Sequence, residues 1–140
     1  MPLLVVRHAE AGHRMSWEGD DRWRPLDKNG RRQADALPDL LARFEIARIG
    51  SGTYLRCEQT VEPLSERRGL PIEARRGLDE GSSAQETLEV LHEFRNAAVL
   101  CTQGDVLETL FGEEGQKGST RVVELRDGEP VLLEYLPPPG

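Results

Sequence analysis

The 140-residue chain has two cysteines, Cys57 and Cys101, and no CxxC pair. Two are too few for a disulfide framework. Both sit among apolar or helical residues, so they read as reduced, mostly buried thiols. Histidine is almost as scarce. His8, His13 and His92 do not stand at metal spacing with each other or with the cysteines, so no metal site is expected. No apolar run approaches the roughly 18 residues of a membrane span. The segment Pro2 to Val6 is too short for a secretion signal, and no basic stretch precedes it. These absences predict a soluble, cytoplasmic protein without a membrane partner. Positive charge is also in deficit, with 18 Lys and Arg against 25 Asp and Glu, a net charge of -7. Such a surface repels nucleic-acid phosphates, which argues against DNA or RNA as a partner. The deficit is uneven, however. Residues 1–32 hold seven basic residues (Arg7, Arg14, Arg22, Arg24, Lys28, Arg31, Arg32) against five acids. A local basic patch on an acidic protein suits a small anionic ligand.

What is present fits one domain with one core: a hydrophobic content of 37% supports it, and the length is near the commonest domain size. Leu3 to Val6 is all apolar and reads as a strand buried on both faces, followed by Arg7-His8. Residues 9–27 lack periodicity and read as a long loop, a kind of segment that is usually functional. Asp27 is placed to cap a helix carrying Ala34, Leu37, Leu40, Leu41 and Phe44, with a kink or break expected at Pro38. Ile46 to Ile49 reads as a second strand, ending at Gly50-Ser51-Gly52. A helix follows over 54–68, with Pro63 inside it, and then a third strand over 71–74. Ser83 and Glu86 form a capping-box pattern before a stripe of Ala84, Leu88, Leu91 and Phe94. Ala97 to Cys101 is another buried strand. It turns through Thr102-Gln103-Gly104 into a short helix over 105–111. Two strands over 121–125 and 130–135 flank the hairpin signal Asp127-Gly128. The order predicts an α/β fold, with a mostly parallel central sheet between helices on both faces and a C-terminal β-hairpin. A single domain is expected over 1–136, with 137–140 as a frayed tail. In such sheets ligands bind at the carboxyl ends of the strands. Three strand ends carry polar groups: Arg7-His8, Ser51 with Arg56 just beyond, and Thr102-Gln103.

Phosphoryl transfer asks a protein mainly for positioning and for positive charge around three oxygens. Arginine meets the second need with a planar fork that bonds phosphate bidentately. A neutral imidazole beside the arginines can attack phosphorus, and guanidinium neighbours disfavour its protonated form. Four ordered blocks here resemble the histidine phosphatase superfamily. Arg7-His8-Ala9-Glu10-Ala11 is similar to its RHG/RHxxA signature. Pro25 to Ala34 looks like its LTxxGxxQA helix, and Ser51 to Thr60 like SSPxxRxxQT. Val99 to Gly104 occupies the place of its late histidine motif. The short length resembles the SixA-type phosphohistidine phosphatase branch. Cys101-Thr102-Gln103-Gly104 and Lys117-Gly118-Ser119-Thr120 are similar to the histidine-phosphatase half of two-domain proteins whose other half is a MutT-like Nudix hydrolase.

The resemblance implies a phosphoglycerate-mutase-like three-layer α/β/α fold and a metal-independent phosphohydrolase with no cofactor. It implies His8 as nucleophile, Arg7 and Arg56 as clamps on the phosphoryl oxygens, and Ser51 or Thr53 as further donors to substrate. Glu80 is the candidate acid for the leaving group, with Asp79 beside it and Glu10 as a weaker choice. Gln103 stands where most of the family has a second histidine on the phosphoryl group; its amide can donate but is uncharged. The implied substrate is a phosphohistidine-bearing protein, a nucleotide or a small phosphoester, with a functional link to a Nudix hydrolase as a further expectation. The alternative is a phospho-ligand binding module that keeps the arginines and has lost turnover. Trp17 and Trp23 are open between stacking on a ring substrate and pinning the loop, and His13 between pocket mouth and solvent. His92 and Lys117 read as surface residues.

Overall fold

A run of four apolar residues cannot expose one face of a strand, and the structure exposes neither. In the computed structural model, which describes all 140 residues, β1 (Leu3–Arg7) lies inside a six-stranded sheet with both faces covered. The other strands are β2 (Arg48–Ser51), β3 (Ile72–Ala74), β4 (Ala98–Thr102), β5 (Thr120–Arg126) and β6 (Glu129–Leu136), in the spatial order β3-β2-β4-β1-β5-β6. The first four are mutually parallel; β5 runs antiparallel to β1, and β6 to β5. The turn between β5 and β6 places Asp127 and Gly128 at φ 51° and 80°, the left-handed pair that a two-residue hairpin of this twist requires. The expected α/β architecture with its terminal hairpin is the observed one.

Period-two alternation sends each strand to two cores. Leu4 and Val6, with Ile49, Val99 and Cys101, pack under the helices α1 (Lys28–Leu40) and α2 (Leu55–Arg68). Leu3 and Val5, with Ala98 and Leu100, pack under α3 (Ala84–Phe94) and α4 (Gly104–Phe111). The chain therefore leaves β1 and β2 toward one layer but leaves β4, which lies between them, toward the other. That divergence opens a crevice at the carboxyl ends of the parallel strands. No helix is long and apolar enough to cross a membrane.

Four details differ from the sequence expectation. The helix expected to break at Pro38 does not break there, but it stops at Leu40, short of Leu41 and Phe44; Pro63 lies inside its helix as expected. Pro38 lies two residues from the end of α1, and Pro63 forfeits one bond in a helix held by buried Val61 and Leu64. β2 starts and ends two residues late. Gly50, read from sequence as a turn, is a strand residue whose missing side chain makes room for Phe94 and Leu100. On α3 the buried residues are Thr87, Val90, Leu91 and Phe94; Ala84 and Leu88 are half-buried, because the Thr87 hydroxyl is drawn inward to the Gly77 carbonyl. The long loop contains two single turns of 3-10 helix, Arg14–Ser16 and Asp21–Trp23, the second capped by the Asp20 side chain.

Candidate active site

At the carboxyl end of the sheet, β1 delivers Arg7 and His8, the first turn of α2 delivers Arg56, and β4 delivers Gln103. Together they line a cleft of about 340 Å³. The long loop adds His13, Arg14 and Arg24. Glu80 and Asp105 enter from one side, and Glu114 and Lys117 from another; no apolar side chain lines the cleft. A larger hollow of about 650 Å³, around His92, Arg95 and Leu133, is separate from these residues.

His8 is buried, and its Nδ1 lies 2.7 Å from the Ala9 carbonyl oxygen. A carbonyl only accepts, so Nδ1 carries the hydrogen and Nε2 keeps its lone pair. Burial is the largest influence on the ring and lowers its pKa. The Ala9 bond opposes that shift, and the charges of Arg56, Arg7 and Lys117 add to it. The net result is a ring lowered from 6.5 to about 3, a neutral imidazole at working pH. The segment that follows is pinned by the glutamine and threonine of the two helical motifs. Thr60 Oγ1 accepts from the Ala9 N–H, Gln33 Oε1 from the Glu10 N–H, and Gln59 Oε1 from the Leu26 N–H. Asp27 caps α1 through Gly30 and also accepts from the Gly12 N–H. These side chains hold the backbone that follows His8 and the base of the loop; none of them lines the cleft.

Arg7 lies against Gly104, where a Cβ would come within 2.8 Å of the guanidinium carbon. Its Nη1 donates to the Gly115 carbonyl at 2.6 Å, Glu114 is 3.7 Å away, and its Nε is buried without a partner. Arg56 is only 1% exposed and stacks over Tyr54 with its guanidinium 4.8 Å from the ring centre. Gln103 Oε1 accepts from both Nε (3.3 Å) and Nη2 (3.1 Å) of Arg56, and Gln103 Nε2 donates to Cys57 Sγ at 3.6 Å. The amide is thus turned to hold the arginine, with its donor end directed away from it. The Cys57 thiol is raised well above its ordinary range by its bond to Cys101 and by burial, as befits an inert, reduced thiol.

Glu80 reaches the cleft, with Oε1 2.5 Å from Arg14 Nη2 and Oε2 3.6 Å from Arg56 Nη2. Ser51 and Thr53 are not among the lining residues. The Ser51 hydroxyl donates to the Gly52 carbonyl, and the Thr53 hydroxyl and N–H both donate to Asp79. Glu10 faces another hollow, beside Asn29 and Pro139. Lys117, read from sequence as a surface residue, lines the cleft, as does His13. Sequence reasoning missed Arg14, Arg24 and Asp21. Their only signal was the excess of basic residues in the first 32 and the unusual length of the loop that carries them.

Comparison with known proteins places this geometry in a family. Residues 3–129 match the histidine phosphatase superfamily (branch 1). An 8-oxo-(d)GTP phosphatase of Mycolicibacterium smegmatis is 38% identical over 156 aligned positions, which take in 98% of this chain and 48% of that protein. The chain therefore spans about half the length of this relative. Among solved structures, the protein histidine phosphatase SixA complexed with tungstate superposes with a TM-score of 0.80 at 23% identity, covering 99% of this chain and 97% of that one. A phosphoserine phosphatase of Entamoeba histolytica gives a TM-score of 0.74 at 16% identity, over 96% of each chain. YhfR of Bacillus stearothermophilus gives 0.76 at 19%, over 94% of each. At these identities the likeness establishes the fold, which is phosphoglycerate-mutase-like.

Proposed function

We propose, from the premise that this chain belongs to the histidine phosphatase superfamily, branch 1, that it is a metal-independent phosphohydrolase in which His8 carries the phosphoryl group from substrate to water. One observation carries the reading: a neutral imidazole with its Nε2 lone pair free stands at a strand end between two arginines. In the first step Nε2 forms a bond to phosphorus as the bond to the leaving oxygen breaks. The ring then bears positive charge, and its Nδ1–H bond to the Ala9 carbonyl strengthens accordingly. In the second step a water oxygen bonds to phosphorus, the N–P bond breaks, the water proton passes to a cleft base, and phosphate leaves. Arg7 and Arg56 provide the positive field that a metal ion provides elsewhere.

A nucleotide with a phosphoanhydride bond is the substrate class this reading favours. The 38% identical relative acts on 8-oxo-(d)GTP by name. Both oxygens of Glu80, the candidate acid, face guanidiniums. A leaving group that departs as a stable anion asks for no proton from it, whereas an alkoxide does. Phosphohistidine on a protein also needs no proton from Glu80 when its far ring nitrogen is already protonated, because the imidazole then leaves neutral; a simple alkyl phosphoester does need one. Ser51 and Thr53 enter the reading only as supports of the β2 end. A functional link to a Nudix hydrolase remains a proposal on the same likeness. A second reading, a phospho-ligand binding module, is favoured by Gln103, whose donor end points to Cys57.

The deciding experiment is a trap. The protein is mixed with a nucleoside triphosphate, quenched in alkali and analysed by mass spectrometry for phosphate on His8. The expected result is a phosphorylated His8 in the parent, none in His8→Ala, and turnover retained in the presence of a chelator with a metal-free substrate. Turnover that survives His8→Ala unchanged overturns the assignment. Phosphate binding without any label or turnover selects the binding-module reading.

A further inference from the structure

Arg56 is buried, and in the free protein an anion already rests on it. Its Nε and one face of Nη2 go to Gln103. Its Nη1 donates to the main-chain carbonyl of Asp21 at 2.9 Å, and its Nη2 stands 3.1 Å from Asp21 Oδ2, closer than the 3.6 Å to Glu80. The Asp21 carboxylate is also anchored elsewhere. Oδ1 accepts from Arg24 Nε at 2.8 Å, and Oδ2 is 3.6 Å from Arg14 Nε. Oδ2 is buried, yet it makes no hydrogen bond of acceptable geometry. It is held against Arg56 by charge alone, without the alignment that makes such contacts strong. Of the two carboxylates beside Arg56, that of Asp21 is the nearer to Nη2, and Glu80 is the one that lines the cleft.

We propose that Asp21 is the internal anion of the phosphoryl site, occupying Arg56 until a phosphoryl group displaces it, and so sets the affinity for phosphate. The inference rests on the reading of Arg56 as a phosphoryl ligand. On binding, the Asp21 carboxylate gives up Arg56 and keeps Arg24 and Arg14, so no carboxylate is left unpaired. When the product phosphate leaves, the carboxylate returns. The cost of displacement weakens phosphate binding and favours release. Asp21 belongs to the turn Asp21–Trp23, and Trp17 Nε1 donates to the carbonyl of Asp20. Both tryptophans of the chain therefore sit on the segment that must adjust.

The test uses the whole chain and inorganic phosphate. Binding is followed by the rise in melting temperature, and loop movement by tryptophan emission. For the parent protein we expect emission to change along the same saturation curve as the thermal shift. Asp21→Asn keeps an oxygen for Arg24 and the main-chain carbonyl for Arg56 but removes the charge. It should bind phosphate about tenfold more tightly, the scale of one charge-assisted contact, and should give no tightening in an Arg56→Ala background. Asp21→Ser, which also keeps an acceptor, serves if the asparagine variant folds poorly. Emission that stays flat while phosphate binds overturns the proposal. So does unchanged or weaker binding in both variants, or a gain that persists without Arg56, which would mark a general charge effect. If phosphate fails to bind the parent, or binds indifferently to Arg56→Ala, the phosphoryl-site reading falls, and this inference with it.

Discussion

At the scale of single residues, the site's chemistry follows from what each polar group is left to do after its neighbours are served. His8 gives its Nδ1–H to Ala9 and keeps Nε2; its identity was plain in the sequence, but its tautomer and its pKa of about 3 depend on burial that no motif displays. The pH consequence has a definite sign. Between 6.5 and about 3 the unfolded chain accepts a proton on His8 that the folded protein refuses. This residue's contribution to stability is therefore complete above 6.5 and is lost as pH falls toward 3. Comparing the melting temperatures of the parent and His8→Asn from pH 7 to 4 checks this, since every other group is common to both. The balance should shift steadily toward the variant as pH falls, and parallel curves would contradict it. For the same reason kcat/KM should show no acid limb near 6.5 from this ring. Gln103 illustrates the opposite case. Its position was legible, whereas its orientation was not, because the donor it serves, Arg56, is 47 positions away in the chain. Gln103→Leu leaves two buried N–H groups of Arg56 without an acceptor. It should cost about 1.5–3 kcal/mol of stability, measured by urea denaturation, together with a loss in kcat/KM. A variant as stable as the parent would show that water or Glu80 replaces the amide.

At the scale of elements, local signals located most of the fold. The Ser83–Glu86 box caps α3, Asp27 caps α1, and Asp127-Gly128 turns the hairpin, each at the place its chemistry indicated. The errors arose where a tertiary partner overrode a local rule: Gly50 stays in β2 because Phe94 and Leu100 need the space, and Thr87 turns inward because Gly77 offers a carbonyl. The junction between β4 and α4 gives a prediction of this kind. Gly104 opens α4 without a positive φ, so alanine suits its backbone, and helix propensity favours the exchange. The added methyl, however, would stand 2.8 Å from Cζ and Nη2 of Arg7. That end of the side chain can move, so the fold survives while the guanidinium is displaced from the cleft. Gly104→Ala should melt within a few degrees of the parent yet lose about ten- to hundred-fold in kcat/KM, the scale of a misplaced catalytic group. Full activity in this variant would remove Arg7 from the reacting centre.

At the scale of the whole molecule, the single domain proposed for residues 1–136 has a physical basis in the way its strands are shared. One core cluster takes Leu4, Val6, Val99 and Cys101, and the other takes Leu3, Val5, Ala98 and Leu100, so the same two strands are the floor of both. Neither helical layer can leave without exposing apolar faces of β1 and β4. Those strands end in Arg7 and Thr102, with His8 and Gln103 next, so the cleft depends on both layers at once. The chain should therefore unfold in one cooperative step, with far-UV circular dichroism and loss of phosphate binding sharing a midpoint. Leu4→Ala and Leu3→Ala cut into opposite cores at adjacent positions, each fully buried. Each should lower that one transition by about 2–5 kcal/mol, the usual cost of a large-to-small change in a packed core, and neither should split it. If Leu3→Ala produced a separate early transition for the α3 and α4 layer while phosphate binding survived, the two layers would be independent units, and the cleft would belong to the α1 and α2 side alone.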